Sequence, residues 1–286
     1  MAETLMWVNG KQVDPAAPHL SALDRGFNRA DGLFETMRSY DGHVAFLSRH
    51  MHRLAGGARA LGLALPDLSE QVLTGALVAR ERGWGDAAIR LTVSRGVGDL
   101  GLPPTAGVEP TVVVIASPLP VNPPGIYERG ITVQIAKGRR NEYSVTSGLK
   151  TLAYVEAVIA LTAAREAGFD DALFLDIEGH VAEGPISNII LVKGRTLITP
   201  PLTCGILPGI TRAVVLEIGA ELGFGIEERP VERAEMDTAD EMFYTSSLRE
   251  LYPIVKVDEK SVGDGRPGPA YKELHRAYEA GARTRS

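Results

Sequence analysis

The sequence predicts an α+β protein of two domains. Short β patterns closed by tight-turn dipeptides are interspersed with amphipathic helical stretches in both halves. Between the halves, Ser117–Gly125 carries four prolines in nine residues and shows no apolar periodicity, as a linker does. The length of 286 residues agrees, since domains average about 150 residues. The expected division is an N-terminal domain over 1–117, a linker over 118–127 and a C-terminal domain over 128–286.

The elements follow in order. Leu5–Val8 and Lys11–Val13 read as strands joined by Asn9-Gly10, and Gly32–Tyr40 and His43–Phe46 as strands joined by Asp41-Gly42. Ser48–Leu63 places Met51, Leu54, Ala58 and Leu61 three to four apart, a helix with Ser48 as N-cap. A second helix is expected over Leu68–Arg82, then strands at Ala87–Val93 and Thr111–Ala116. The second half opens with a strand at Ile131–Ala136 and a helix over Thr151–Ala167, stopped by Gly168. Ala172–Asp176, Asn188–Val192 and Thr196–Ile198 are strands. Thr211–Leu222 is a helix announced by Pro208-Gly209, Glu241–Thr245 and Pro253–Val257 are strands, and a polar helix closes the chain.

Composition bounds the function. Thirty basic against thirty-six acidic side chains leave a net charge of −6, which argues against a nucleic-acid surface but not against a small anion held by a few cations. The single cysteine, Cys204, excludes an internal disulfide framework and a cysteine zinc cluster. Met1-Ala2-Glu3-Thr4 has no basic run before an apolar one, and apolar stretches such as Thr111–Ala116 are far short of a membrane span. The expectation is a soluble, cytoplasmic globular protein without nucleic-acid or membrane partners.

Three motifs fail on their context. Gly96–Gly101 matches GxGxxG, but Leu102-Pro103-Pro104 follows where a helix would have to open for a pyrophosphate. Ser147–Lys150 matches SxxK at the start of the expected helix, yet the S-D-N and K-T-G elements of the penicillin-interactive serine enzymes do not occur. His50 and His52 are two apart and point to different helix faces, so they do not share a metal.

A different constellation remains. Only seven of the thirty basic residues are lysines, and Lys150 alone precedes a largely apolar helix with Leu152, Val155, Val158 and Ile159. A lysine near packed surface tends towards a lowered pKa, as covalent carbonyl chemistry requires; the alternative is a helix-end lysine that reaches to water. Glu183 sits in a Gly/Pro loop between two strands, either a surface charge or the partner of a buried cation. Gly205–Thr211 runs into a helix whose first N–H groups and dipole suit a phosphate. Tyr244-Thr245-Ser246-Ser247 adds hydroxyls at a strand end. A lysine, a carboxylate and an anion cradle are what pyridoxal phosphate needs.

Gly148–Tyr154, Glu183–Asn188 and Leu207–Arg212, with Asp31–Thr36 and Leu47–Leu54 in the first half, resemble the class IV aminotransferase family of fold type IV. That group holds branched-chain, D-amino acid and (R)-amine transaminases and aminodeoxychorismate lyase. The resemblance implies pyridoxal 5′-phosphate as cofactor, Lys150 as the Schiff-base lysine and proton shuttle, and Glu183 as partner of the pyridine nitrogen. It implies that Arg49, Ile210, Thr211, Ser246 and Ser247 hold the phosphate side and that Tyr154 touches the ring hydroxyl. It also implies a homodimer with shared active sites.

The substrate pocket is expected from Phe34, Thr36 and Arg38, which alternation puts on one strand face, with Arg90, Leu248 and the carboxylate-grasping candidates Arg29 and Arg249. Phe34-Glu35-Thr36 departs from the F-E-G of branched-chain enzymes, and the loop after Ser94-Arg95-Gly96 lacks the arginine and histidine of D-amino acid enzymes. The implied activity is transfer of an amino group between a D-amino acid, an (R)-amine or a branched-chain amino acid and a 2-oxo acid. Aminodeoxychorismate lyase is the alternative within the family; outside it stand an SxxK serine hydrolase and a non-catalytic small-anion-binding protein.

Overall fold

A computed structural model describes residues 3–122 and 125–284; the readings that touch Met1, Ala2, Pro123 and Pro124, the last two in the expected linker, lie outside those residues. The chain forms two compact units. The first is Met1–Val121 with Leu149–Ala153 and Ala282–Ser286, and the second is Asn122–Gly148 with Tyr154–Gly281. Lys150 therefore packs with the first unit, not with the expected C-terminal domain.

Among the described residues, the first unit holds β1 (Leu5–Val8), β2 (Lys11–Val13), α1 (Arg25–Arg29), β3 (Gly32–Tyr40), β4 (His43–Val44), α2 (Leu47–Ala60), α3 (Ser69–Glu81), β5 (Asp86–Ser94) and β6 (Thr111–Pro118). The strands form one antiparallel sheet in the order β2-β1-β6-β5-β3-β4. Both turn dipeptides act as read: Asn9 and Gly10, and Asp41 and Gly42, all have positive φ, as a two-residue hairpin turn demands. Leu33, Met37, Ile89, Leu91 and Val114 meet Leu54 and Ala58 of α2 and Val72, Ala76 and Ala79 of α3 in a buried core. Period-two alternation then turns Phe34, Thr36 and Arg38 to the opposite face of β3 from Leu33, Glu35 and Met37.

The second unit holds α4 (Ile126–Arg129), β7 (Ile131–Arg140), α5 (Val155–Glu166), β8 (Asp171–Asp176), β9 (Asn188–Lys193), β10 (Thr196–Thr199), α6 (Ile210–Glu221), β11 (Gly225–Glu228), β12 (Glu241–Ser246), β13 (Glu250–Val257), β14 (Lys260–Ser261) and α7 (Pro269–Ala282). Its mixed sheet runs β11-β10-β9-β12-β13-β7-β8, with β14 on β13. β7 pairs parallel with both β13 and β8. The core gathers Val133, Leu173, Ile189, Leu191, Met242 and Tyr244.

Three expectations are corrected here. Ser48 does not cap α2: the helix starts at Leu47 after Phe46 in a left-handed conformation, and no side chain caps it. The helix expected from Thr151 starts at Val155, because Lys150–Leu152 is extended and hydrogen-bonded to β3. Ser147 and Lys150 thus do not share a helical turn, which removes the geometry an SxxK nucleophile needs. The β-branched side chains of α5 are not packed: Val155, Val158 and Ile159 are 69%, 61% and 63% exposed, while the small Ala157 and Ala164 are buried.

Candidate active site

In the first unit the site residues line up along β3. The Phe34 amide donates to the Lys150 carbonyl (3.0 Å), the Leu152 amide donates to the Gly32 carbonyl (3.1 Å), and Leu33 and Thr151 form an isolated β-bridge. Lys150 is held by strand pairing, and its half-buried side chain lies over the face of β3 that carries Phe34, opposite the core-facing Leu33 and Met37. Its Nζ stands 4.4 Å from the Phe34 ring centroid, and the Arg90 guanidinium stacks on the same ring at 3.9 Å. Each such contact contributes about 0.5–1 kcal/mol where exposed and more where water is excluded. Thr36 and Arg90 are register partners, so Phe34, Thr36, Arg90 and Lys150 share one patch. Arg38 borders it, ion-paired with Asp86 and stacked on Tyr40.

On the helix side of β3, Glu35 is fully buried. His50 Nδ1 lies 2.7 Å from Glu35 Oε2, and Arg53 Nε and Nη2 donate to its two oxygens at 2.8 and 2.7 Å. Burial alone would raise the Glu35 pKa; Arg53 and then His50 outweigh it and hold the carboxyl at about 2. Arg49 is exposed in the first turn of α2, whereas Arg53, one turn further on, is pinned in this triad. Motif position alone missed Arg53. The available signal was alternation, which puts Glu35 on the buried side, where a carboxylate needs a cation from the inward stripe of the next helix. His50 is a core residue and His52 a surface one.

In the second unit Glu183, 7% exposed, organises a polar loop. The Leu207 amide and Asn188 Nδ2 donate to Glu183 Oε2 at 3.0 and 3.3 Å, and Asn188 Nδ2 also donates to the Leu207 carbonyl. Arg140 Nε is 3.0 Å from Glu183 Oε1, with the guanidinium stacked on Phe174 at 4.3 Å. That Nε is buried without an aligned hydrogen-bond acceptor, so the pair is an ion pair rather than a directed bond. At the start of α6, Gly209 is the N-cap, no side chain caps the first turn, and the turn carries no acidic residue. A Cβ at Gly209 would fall inside van der Waals contact of Asn188 Oδ1, so any larger residue here has to displace the Asn188 side chain. Ile210 and Thr211 are the first two helical residues, both buried, with Thr211 Oγ1 3.3 Å from the Tyr278 hydroxyl. Ser246 ends β12, and Ser247, Leu248 and Arg249 form the turn into β13, where Ser246 faces Glu250. Half-buried Tyr154 precedes α5.

Two expected carboxylate-grasping arginines are occupied elsewhere. Arg29 Nη2 donates to the Leu100 carbonyl (2.7 Å) and Nη1 to that of Asn28. Arg249 is turned towards buried Asp171, 3.8 Å away, and lies over Tyr252. Burial raises the Asp171 pKa. Both arginines therefore stabilise loops, a use invisible to local sequence. The Gly96–Gly101 loop stays irregular as expected, and Arg25 donates to the Asp99, Gly101 and Leu102 carbonyls there.

The donor set fits pyridoxal phosphate. An uncapped helix start with glycine at its entry and hydroxyls nearby suits a phosphate, and a buried carboxylate suits a protonated ring nitrogen. Bound there, the cofactor supplies an electron sink for the substrate's α-carbon. Among the described residues no helix is long and apolar enough to cross a membrane.

Comparison with known proteins agrees. The family described as Amino-transferase class IV matches residues 32–257. A branched-chain-amino-acid aminotransferase of Pseudomonas aeruginosa is 32% identical over 287 residues, covering 96% of this chain and 91% of the relative. The structure of a branched-chain amino acid aminotransferase from T.th. with pyridoxamine 5′-phosphate superposes with a TM-score of 0.90 at 27% identity, covering 100% and 96% of the two chains. A 4-amino-4-deoxychorismate lyase structure from Pseudomonas aeruginosa matches with a TM-score of 0.85 at 33% identity, covering 98% and 100%. The chain belongs to the class IV aminotransferase family and is a transaminase of fold type IV that uses pyridoxal 5′-phosphate.

Proposed function

We propose that the protein moves the amino group of a branched-chain amino acid to a 2-oxo acid acceptor. The observation that carries this reading is the Phe34 ring, an apolar wall flanked by Lys150 and Arg90. A substrate with an aliphatic side chain and a carboxylate finds both complements there, and the branched-chain names of relatives support it. Lys150 attaches the cofactor and shuttles the proton at the substrate α-carbon. Glu183 holds the ring nitrogen protonated, and Ile210, Thr211, Ser246 and Ser247 hold the phosphate. Tyr154 meets the ring hydroxyl. Arg53 is a better candidate than Arg49 for the phosphate guanidinium, because a bidentate carboxylate fixes its orientation. Thr36, Arg38 and Leu248 complete the pocket.

The purified protein is expected to be yellow, and Lys150→Ala to abolish its visible absorption; a wild type that ignores added pyridoxal phosphate overturns the reading. A donor panel of L-leucine, D-alanine and (R)-phenylethylamine with α-ketoglutarate or pyruvate tests the substrate class. L-leucine is expected to react best, and D-alanine or the (R)-amine reacting best would move the enzyme to another branch of the family. The lyase is kept as a second reading because Phe34-Glu35-Thr36 departs from the branched-chain pattern and a lyase is among the structural relatives. Release of pyruvate from aminodeoxychorismate without amino transfer would establish it. We also propose that the enzyme is a cytoplasmic homodimer.

A further inference from the structure

We propose that Glu250 and His275 are positioning residues that hold the Ser246–Arg249 turn in its anion-receiving shape; this rests on the reading of Ser247 as a phosphate contact. Glu250 is 3% exposed and leaves the turn with φ +56, a left-handed backbone that a residue other than glycine adopts only when its surroundings enforce it. Its side chain supplies the enforcement. Glu250 Oε2 lies 3.0 Å from His275 Nε2, and since a carboxylate only accepts, that nitrogen carries the proton.

His275 is itself fixed. Its ring stacks with Tyr127 (5.4 Å, 27°) and with Tyr271 (5.5 Å, 24°), and its Nδ1 lies 3.3 Å from the Tyr271 hydroxyl. The Tyr127 hydroxyl donates to the Arg249 carbonyl (3.4 Å) and accepts from Asn122 Nδ2 (2.8 Å). One aromatic stack thus reaches two consecutive residues, Arg249 of the turn through its backbone and Glu250 just after it through its side chain. At the other end, the Arg249 amide donates to Ser246 Oγ and its guanidinium leans on Asp171. Ser247 and Leu248 are spanned between clamped neighbours. A turn already in its bound shape avoids the ordering cost that a loose turn meets when an anion arrives.

The test compares Ser247→Ala, His275→Phe, His275→Gln, Glu250→Gly and the Phe/Gly double variant in full-length protein. Pyridoxal phosphate affinity of the cofactor-free enzyme is measured by fluorescence titration, alongside Tm. His275→Phe keeps the stack without the hydrogen bond, Glu250→Gly suits the left-handed backbone, and His275→Gln retains a donor. Expected are an about tenfold weaker affinity for Ser247→Ala, His275→Phe and Glu250→Gly, no further loss in the double variant, and recovery to within about threefold in His275→Gln. An unchanged affinity in His275→Phe beside a weakened Ser247→Ala overturns the strut alone. So do additive losses, or a Gln variant as weak as Phe. Full affinity in Ser247→Ala overturns the phosphate reading, and the strut falls with it. Should Glu250→Gly fail to fold, the Phe and Gln variants decide the outcome.

Discussion

A carboxylate on the helix-facing side of a strand must find cations or stay protonated, and Glu35 has Arg53 and His50. Its folded pKa of about 2 against an ordinary 4.5 means that the unfolded chain binds the proton first as the pH falls. The stability Glu35 contributes is complete above about pH 4.5, is lost between 4.5 and 2, and amounts to about 3 kcal/mol. Burial lowers the His50 pKa despite its bond to Glu35, so acid destabilises through this residue as well, from about pH 6.5 downwards. Urea unfolding between pH 7 and 3 is expected to show both losses, with Glu35→Gln flattening the profile below pH 4.5; an unaltered slope in that variant removes Glu35 from the account. Arg53→Ala strands a buried carboxylate and is expected to cost about 3 kcal/mol or more at pH 7, against about 0.5 or less for exposed Arg49→Ala. Equal losses would show that the triad does not discriminate between them. Alternation made the two faces of β3 legible in the sequence. The partners of Glu35 were not, because they lie 15 and 18 residues away on a helix whose phase is set by packing against the sheet.

Elements position the chemistry through their ends, and local sequence specifies ends less well than interiors. The apolar period of α6 and the Pro208-Gly209 entry were plain in the sequence, and the helix begins one residue earlier than expected, at Ile210. α5 starts four residues later than its local pattern implies, since the segment around Thr151 pairs with β3, more than a hundred residues back in the chain. No window of neighbouring residues carries that pairing. The Gly209 approach is similarly long-range: Asn188 fills the space where a Cβ would stand, while the same side chain holds Glu183 and Leu207. Gly209→Ala is therefore expected to displace Asn188, loosen Glu183 and weaken pyridoxal phosphate binding about tenfold, with Tm lowered by a few degrees. Fluorescence titration of the cofactor-free variant checks it, and wild-type affinity would show that the helix entry tolerates a side chain.

At the scale of the whole molecule, the face of α5 is the feature that the chain's own packing leaves unexplained. Val155, Val158 and Ile159 stand three and four apart, so they form one stripe, and each is more than half exposed. Alanines take the inward positions because they let the helix lie close to β7 and β8, which sends the large β-branched side chains outwards. Isolated exposed apolar residues are ordinary, but a contiguous stripe costs solubility unless another surface covers it. The family resemblance points to a homodimer, and a stripe on this helix suits a self-complementary interface, where each copy meets the same patch on the other. The net charge of −6 is small enough that repulsion between copies does not oppose it. Sedimentation velocity at micromolar concentration is expected to give a dimer. The Val158→Asp/Ile159→Asp double variant is expected to sediment as a monomer with its far-ultraviolet circular dichroism unchanged. A wild-type monomer would overturn the dimer, and a dimeric double variant would move the interface off α5. Monomerisation that also lowers activity at fixed cofactor saturation would tie the active site to the second copy.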